Sequence, residues 1–155
     1  MEVSEKLEFL SKFIKKAYSL KPNRVVLEFD RENVRELFKL LLENLGETGF
    51  YLAVIEGTDF PNKNMFRLDY YVITHPDREV YVFRTWLPRD NPHIDTVVDF
   101  IPAAYSGECE THDLLGIVFD GNKYLKRGFF VPKDVYEKGV YPLRKEFKLR
   151  KESKV

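Results

Sequence analysis

From Phe66 to Val72 apolar residues alternate strictly: Phe66, Leu68, Tyr70 and Val72 are interleaved with Arg67, Asp69, Tyr71 and Ile73. A period of two places the first set on one face of a strand, so that face must be buried. His75-Pro76-Asp77-Arg78 then supplies turn residues, and residues 79–87 (EVYVFRTWL) are again β-branched and aromatic. The pair predicts an antiparallel hairpin, around which the rest of the chain has to be arranged. Residues 24–29 (RVVLEF) and 50–55 (FYLAVI) predict two more strands.

The period changes elsewhere. Val3, Leu7, Leu10, Ile14 and Ala17, widened by Phe9 and Phe13, have the spacing of an amphipathic helix that Pro22 stops. Asp30 predicts an N-cap for a second helix carrying Val34, Leu37, Phe38, Leu41 and Leu45 on one face and ending at Gly46. Helices leading into a mainly antiparallel sheet predict an α+β fold, a two-layer domain with helices packed on a mixed sheet. Further on, RDNPHID (89–95) has the character of a loop, and Thr96 with Asp99 has the spacing of a capping box. Residues 103–115 predict a helix closed by Gly116, and 117–119 a short strand ending at Asp120-Gly121. Beyond Phe130 the chain is turn-rich and then strongly charged, with too little apolar material for a core of its own. The expected division is an α+β domain over residues 1–130 and an extended charged C-terminal arm over 131–155, lying on partner subunits or on the domain.

Composition narrows the function. The 155 residues suit one domain, which at this size buries about 70% of the surface of its unfolded chain. Twenty-five basic and 25 acidic side chains cancel, which argues against a nucleic-acid partner, since phosphates call for a net basic face. No apolar run approaches the roughly 20 residues of a membrane span, and the N-terminal residues lack the apolar stretch of a signal peptide. A single cysteine fits a reducing, cytoplasmic setting. The absence of glutamine, with only two methionines and many Lys and Glu, resembles a heat-adapted composition.

The densest chemistry lies in GECETHDLLGIVFDG (107–121). On a helix Glu108 and His112 are i, i+4 neighbours, and Cys109 faces both His112 and Asp113. This permits half of a zinc site, but His75 and His93 lie in expected loops without ligand spacing, and salt-bridging carboxylates are the simpler reading. A Cys109–His112 nucleophilic pair is disfavoured by Glu108 and Glu110, whose charge raises the thiol pKa. One cysteine cannot hold an iron–sulfur cluster, and no glycine-rich dinucleotide or phosphate loop is present. Arg127, Arg144 and Lys145 are available to pair with Glu108, Glu110 and Asp113.

Residues 103–147, AAYSGECETHDLLGIVFDGNKYLKRGFFVPKDVYEKGVYPLRKEF, resemble the 30-kDa subunit family of respiratory complex I, the NADH-quinone oxidoreductase. The family pattern runs close to A-x-W-x-E-R-E-x-x-D-M-x-G-I-x-F-x-G-H-P-x-L-x-R, then P-x-D-W and P-L-R-K-D. Here Glu108, Glu110 and Asp113 fall on its acidic positions, Gly116 and Gly121 on its glycines, and Arg127 on its arginine. Pro132, Asp134, Pro142, Leu143, Arg144 and Lys145 follow in order. Tyr105 stands for the tryptophan, Cys109 for the arginine of E-R-E, Leu114 for the methionine, Asn122-Lys123 for His-Pro, Val135 for the later tryptophan and Glu146 for the last aspartate. With the heat-adapted composition, these departures point to the branch found in archaeal membrane-bound hydrogenase and sulfane-sulfur reductase complexes.

The resemblance implies a non-catalytic subunit that binds no cofactor. It implies a place in the peripheral arm, on the cytoplasmic side of the cell membrane, in an ion-translocating redox complex. The implied partners are a large catalytic subunit (49-kDa-like) and a small iron–sulfur subunit, which carry the iron–sulfur clusters and, in hydrogenases, nickel–iron. The alternatives are the 30-kDa subunit of an orthodox NADH-quinone oxidoreductase and a soluble metal- or Cys-dependent enzyme using Cys109 and His112. Arg144 is expected to pair with a carboxylate, in this chain or a neighbour.

Overall fold

The computed structural model describes residues 5–147. A five-stranded sheet is built from β1 (Ile14–Leu20), β2 (Arg24–Phe29), β3 (Phe50–Phe60), β4 (Met65–Thr74) and β5 (Val80–Pro88), in the order β1-β2-β5-β4-β3. The expected hairpin is its centre: β4 and β5 pair antiparallel from Met65↔Pro88 to Ile73↔Val80. Among the described strands of this sheet only β2 and β5 pair in parallel, so the sheet is mixed and mainly antiparallel. Helix α1 (Val34–Leu45) and helix α2 (Ala104–Leu115) cover one face of it. The fold is the expected two-layer α+β arrangement.

Strand alternation decides which face is covered. Phe66, Leu68, Tyr70 and Val72 are all fully buried, and the Phe38 ring of α1 packs 5.3 Å from Tyr70 and 6.2 Å from Phe83. Helix α2 crosses β3 closely at Gly107, where a Cβ would lie 2.9 Å from Ile55 Cβ. Ile55 pairs with Tyr70 and faces the same side. Phe38→Ala would remove the ring that joins helix to sheet, at a cost of about 3–5 kcal/mol.

Four local expectations are corrected. The N-terminal helix is a 3-10 segment (Glu5–Phe13) followed by β1; Val3 lies outside the described residues. The i, i+3 pair Leu7 and Leu10 is fully buried, as a 3-10 turn also allows, but Ala17 pairs across the sheet with Leu27. The open edge of β2 captures 14–20, a tertiary gain that the helical spacing does not reveal. Asp30 caps nothing with its side chain: it flanks a 3-10 turn (Arg31–Asn33), and its carboxylate pairs with Lys15 at 2.5 Å. Thr96 and Asp99 form no capping box, because Asp99 is held in a bidentate pair by Arg35 (2.8 and 2.7 Å) and Thr96 binds Glu108. The loop 89–95 contains β6 (His93–Asp95), parallel to β7 (Val118–Asp120).

Candidate functional site

Helix α2 carries the motif residues, and its two ends meet different surroundings. Glu108 is fully buried, yet every hydrogen bond it needs is made inside the chain. Thr96 Oγ1 donates to Oε2 at 2.6 Å, Asn122 Nδ2 to Oε2 at 2.8 Å, and the Val97 amide to Oε1 at 3.0 Å. One carboxylate thereby ties α2 to the segment after β6 and to the turn after β7. Burial pushes its pKa up, the three donors oppose that only in part, and the charge of Asp99 adds to the rise.

One helical turn on, Asp113 organises the loop 127–131. It accepts from the amides of Gly128 (3.0 Å), Phe130 (2.8 Å) and Val131 (2.7 Å) and from Arg127 Nε (3.0 Å). Burial alone would raise this carboxyl, but the three amides and the guanidinium outweigh it and hold it below the usual range. Arg127 also donates to the Val140 carbonyl at 2.5 Å, which fastens the following segment.

Gly116 closes α2 with φ +81°, and a Cβ there would lie 2.7 Å from Arg144 Nη2 and 2.8 Å from Tyr141 Cζ. Left-handed backbone and close approach both demand glycine. Arg144 enters this notch: Nε donates to the Leu115 carbonyl (2.8 Å), and the guanidinium lies over the rings of Tyr141 and Phe66 (4.5 and 5.2 Å). The expected carboxylate pairing within the chain is therefore replaced by a helix C-terminus and two aromatic faces, which suit a planar cation. Leu143 donates its amide to Leu114, and the Lys145 amide donates to buried Asp59 at 2.8 Å. Arg89 bridges Asp59 (Nη2 donating to Oδ2 at 3.1 Å, with Nε 2.8 Å from Oδ1 as an ion-pair contact) and Glu146 (2.6 Å). Residues 131–147 thus run along the domain surface.

The remaining motif residues serve turns or face outward. Gly121 takes φ +88° after β7, and Pro132 precedes the short helix α3 (Lys133–Tyr136), which contains exposed Asp134. Pro142 is half-buried, and Glu110 is exposed beside β3. Cys109 and His112 are not brought together. The thiol is buried, lies 3.8 Å from the Tyr124 carbonyl, and is pushed up by burial and by Glu108. His112 Nδ1 instead meets the Ile117 carbonyl at 2.8 Å. His93 contacts Asp120 and His75 stacks on Tyr51; among the described residues no three His, Cys, Asp or Glu side chains gather to hold a metal ion.

Sequence reasoning missed Thr96, Asn122, Asp59 and Arg89 as partners of this framework. Asn122 carried a faint signal, since it stands where the family pattern has histidine; its Oδ1 also accepts from the Tyr124 amide at 2.9 Å. Also missed was the ion cluster on the other sheet face, where Arg84 grips buried Asp69 through two 2.8 Å bonds and reaches the Tyr18 hydroxyl. Asp69 and Arg84 are direct cross-strand partners, so the hairpin register could have revealed them.

Outside the braced interior lies an exposed aromatic surface. Tyr105 packs edge-on against Tyr124 (5.3 Å, 82°) and Phe129 (5.9 Å, 87°), with Lys123 over Tyr124. Tyr105, Tyr124 and Phe130 remain 39%, 47% and 65% exposed.

The model of the family described as "Respiratory-chain NADH dehydrogenase, 30 Kd subunit" matches residues 27–153, most of the chain. The chain belongs to this family. A subunit of the F(420)H(2) dehydrogenase of Methanosarcina mazei is 29% identical to it over 126 residues, covering 81% of this chain and 77% of that protein. The membrane-bound hydrogenase subunit beta of Pyrococcus furiosus is 28% identical over 127 residues, covering 81% and 70%. Among solved structures, a chain of the archaeal membrane-bound sulfane sulfur reductase superposes with a TM-score of 0.78 at 24% identity, covering 92% of this chain and 83% of that one; this likeness shows a shared fold.

Proposed function

We propose that the chain is a non-catalytic, cofactor-free subunit of the peripheral arm of a membrane-bound, ion-translocating redox complex related to complex I. It braces the large catalytic (49-kDa-like) subunit and the small iron–sulfur subunit on the cytoplasmic face of the membrane. Iron–sulfur clusters, and nickel–iron in a hydrogenase-type complex, belong to those partners in this reading.

The observation that carries it is how the conspicuous side chains are used. Glu108, Asp113 and Arg127 are consumed by internal hydrogen bonds, while Tyr105 and Tyr124 stand exposed in a cluster with Phe129 rimmed by Lys123, and Phe130, next in the chain, is exposed as well. Exposed tyrosines and phenylalanines on a braced framework suit the anchor positions of a protein interface. No helix among the described residues is long and apolar enough to cross a membrane, so attachment would run through other subunits. The named hydrogenase relative supports a hydrogenase or sulfane-sulfur reductase type of complex. The description of the matched family favours, as second reading, the 30-kDa subunit of an orthodox NADH-quinone oxidoreductase.

Affinity purification of the tagged chain from its native membrane tests the assignment. Co-recovery of a large catalytic and an iron–sulfur subunit is expected, and recovery of a soluble monomer alone would overturn it. Cysteine pairs of a nickel site in the recovered large subunit separate the hydrogenase type from the NADH-quinone reading.

A further inference from the structure

The five-stranded sheet has two edges, and they are treated differently. At β1 the edge carries exposed Lys15 and Lys16 and its register shifts between Ile14 and Lys16, two devices that discourage a further strand. At β3 the register shifts once, between Leu52 and Val54, leaving Ala53 without a partner on β4. From Val54 to Phe60 the pairing with β4 is regular for seven consecutive residues, and among the described residues no strand lies on the outer side.

This regular stretch borders a groove. Two adjoining concavities of about 200 and 70 Å³, which share Val54, Ile55 and Glu110, run between β3 and α2. Leu114 and Leu143 extend the apolar wall, and Val54 and Leu143 are each 50% exposed. Carboxylates flank the edge on both sides. Glu110 projects from α2 on the helix-covered side. Glu56 pairs with Asp69, hence faces the opposite side, where its Oε2 accepts from the Tyr71 hydroxyl at 3.1 Å. Towards the end of the strand Arg67 reaches Thr58 and Asp59 is buried against Arg89, so no free carboxylate continues the acidic flank there.

We propose that the outer edge of β3 is a β-augmentation site that takes an extended basic segment of a partner polypeptide as a sixth strand. A strand added here would pair with the outward-pointing backbone groups of residues 54–60, those at alternate residues that do not bond to β4, and project side chains alternately to both faces. On each face it would meet one carboxylate beside apolar surface: Glu110 with Leu114 and Leu143 on one side, Glu56 with Val54 on the other. The fitting segment therefore carries Lys or Arg next to a small apolar residue on both of its faces. Backbone pairing supplies attachment and the two carboxylates supply selection by charge. The site is defined by its own chemistry and stands apart from the assignment of the aromatic surface.

The test uses the full chain and the acetylated, amidated peptide VKRVKRV, which presents basic and apolar residues on both faces. Hydrogen exchange of the alternate, outward-pointing amides within residues 54–60 should slow when the peptide is added. The acidic peptide VEDVEDV should not bind. The same basic peptide N-methylated at alternate residues keeps its charge but cannot pair, and should bind at least about tenfold more weakly. Glu56→Lys with Glu110→Lys, both exposed, should weaken the unmodified peptide by about tenfold or more. Equal binding of the N-methylated peptide, absence of protection over 54–60, or indifference to the double charge reversal would each overturn the proposal. Protection of the outward-pointing amides of 54–60, the alternate ones not bonded to β4, already present without peptide would also overturn it: loss of that protection on deleting residues 148–155 would assign the edge to the chain's own tail, and loss on dilution to a second copy.

Discussion

Asp113 and Glu108 sit five residues apart on one helix, are both fully buried, and have their pKa values shifted in opposite directions. Asp113 is surrounded by donors and its folded pKa is depressed, so the stability it contributes is present above its unfolded value near 3.8 and is lost as pH falls through the folded value. Asp113→Asn should therefore cost about 1–3 kcal/mol at neutral pH, a gap that narrows below about pH 4, read by urea denaturation across pH. Glu108 has its folded pKa raised, so its contribution is greatest below the unfolded value and declines as pH rises through the folded one. Gly116→Ala puts a methyl group against Arg144 and Tyr141 in left-handed backbone; a loss of about 2 kcal/mol or more is expected from thermal unfolding. Tyr70 is the converse case. Its hydroxyl is fully buried with no hydrogen-bond partner among the described residues, so Tyr70→Phe should leave the melting temperature unchanged or raise it.

At the level of elements, the segment after Phe130 is held by a short series of anchors rather than by a core. Asp113 binds its start, Arg127 its middle through Val140, and Asp59 with Arg89 its end through Lys145 and Glu146. Such a strap opens locally when one anchor goes, without global unfolding. Asp59→Asn should accordingly speed tryptic cleavage at Arg144 and Lys145 several-fold while the midpoint of global unfolding moves little; equal cleavage rates would show that Asp59 does not fasten this segment. The five-stranded sheet makes a related point. β1 exists because β2 needs a neighbour, and no property of residues 14–20 alone outweighs their helical spacing.

For the whole molecule, the consequence of this division of labour is an inert interior and an available exterior. Phe130→Asp changes a side chain that is 65% exposed, so the isolated chain should keep its stability to within about 0.5 kcal/mol. Recovery with partner subunits from the native membrane should nevertheless fall about tenfold or more, as loss of an interface anchor predicts; unchanged recovery would place the interface elsewhere. The sequence by itself determined the central hairpin, α1, α2 with its glycine stop, the two-layer α+β class and the family, because each rests on local periodicity, a turn residue or an ordered run of motif residues. Only the tertiary structure decided that residues 14–20 form a strand, that Thr96 and Asn122 hold Glu108, and that Arg144 lies on Tyr141 and Phe66. Each of these joins residues distant in sequence, and such a contact forms only when several elements close on one another, so no local pattern records it.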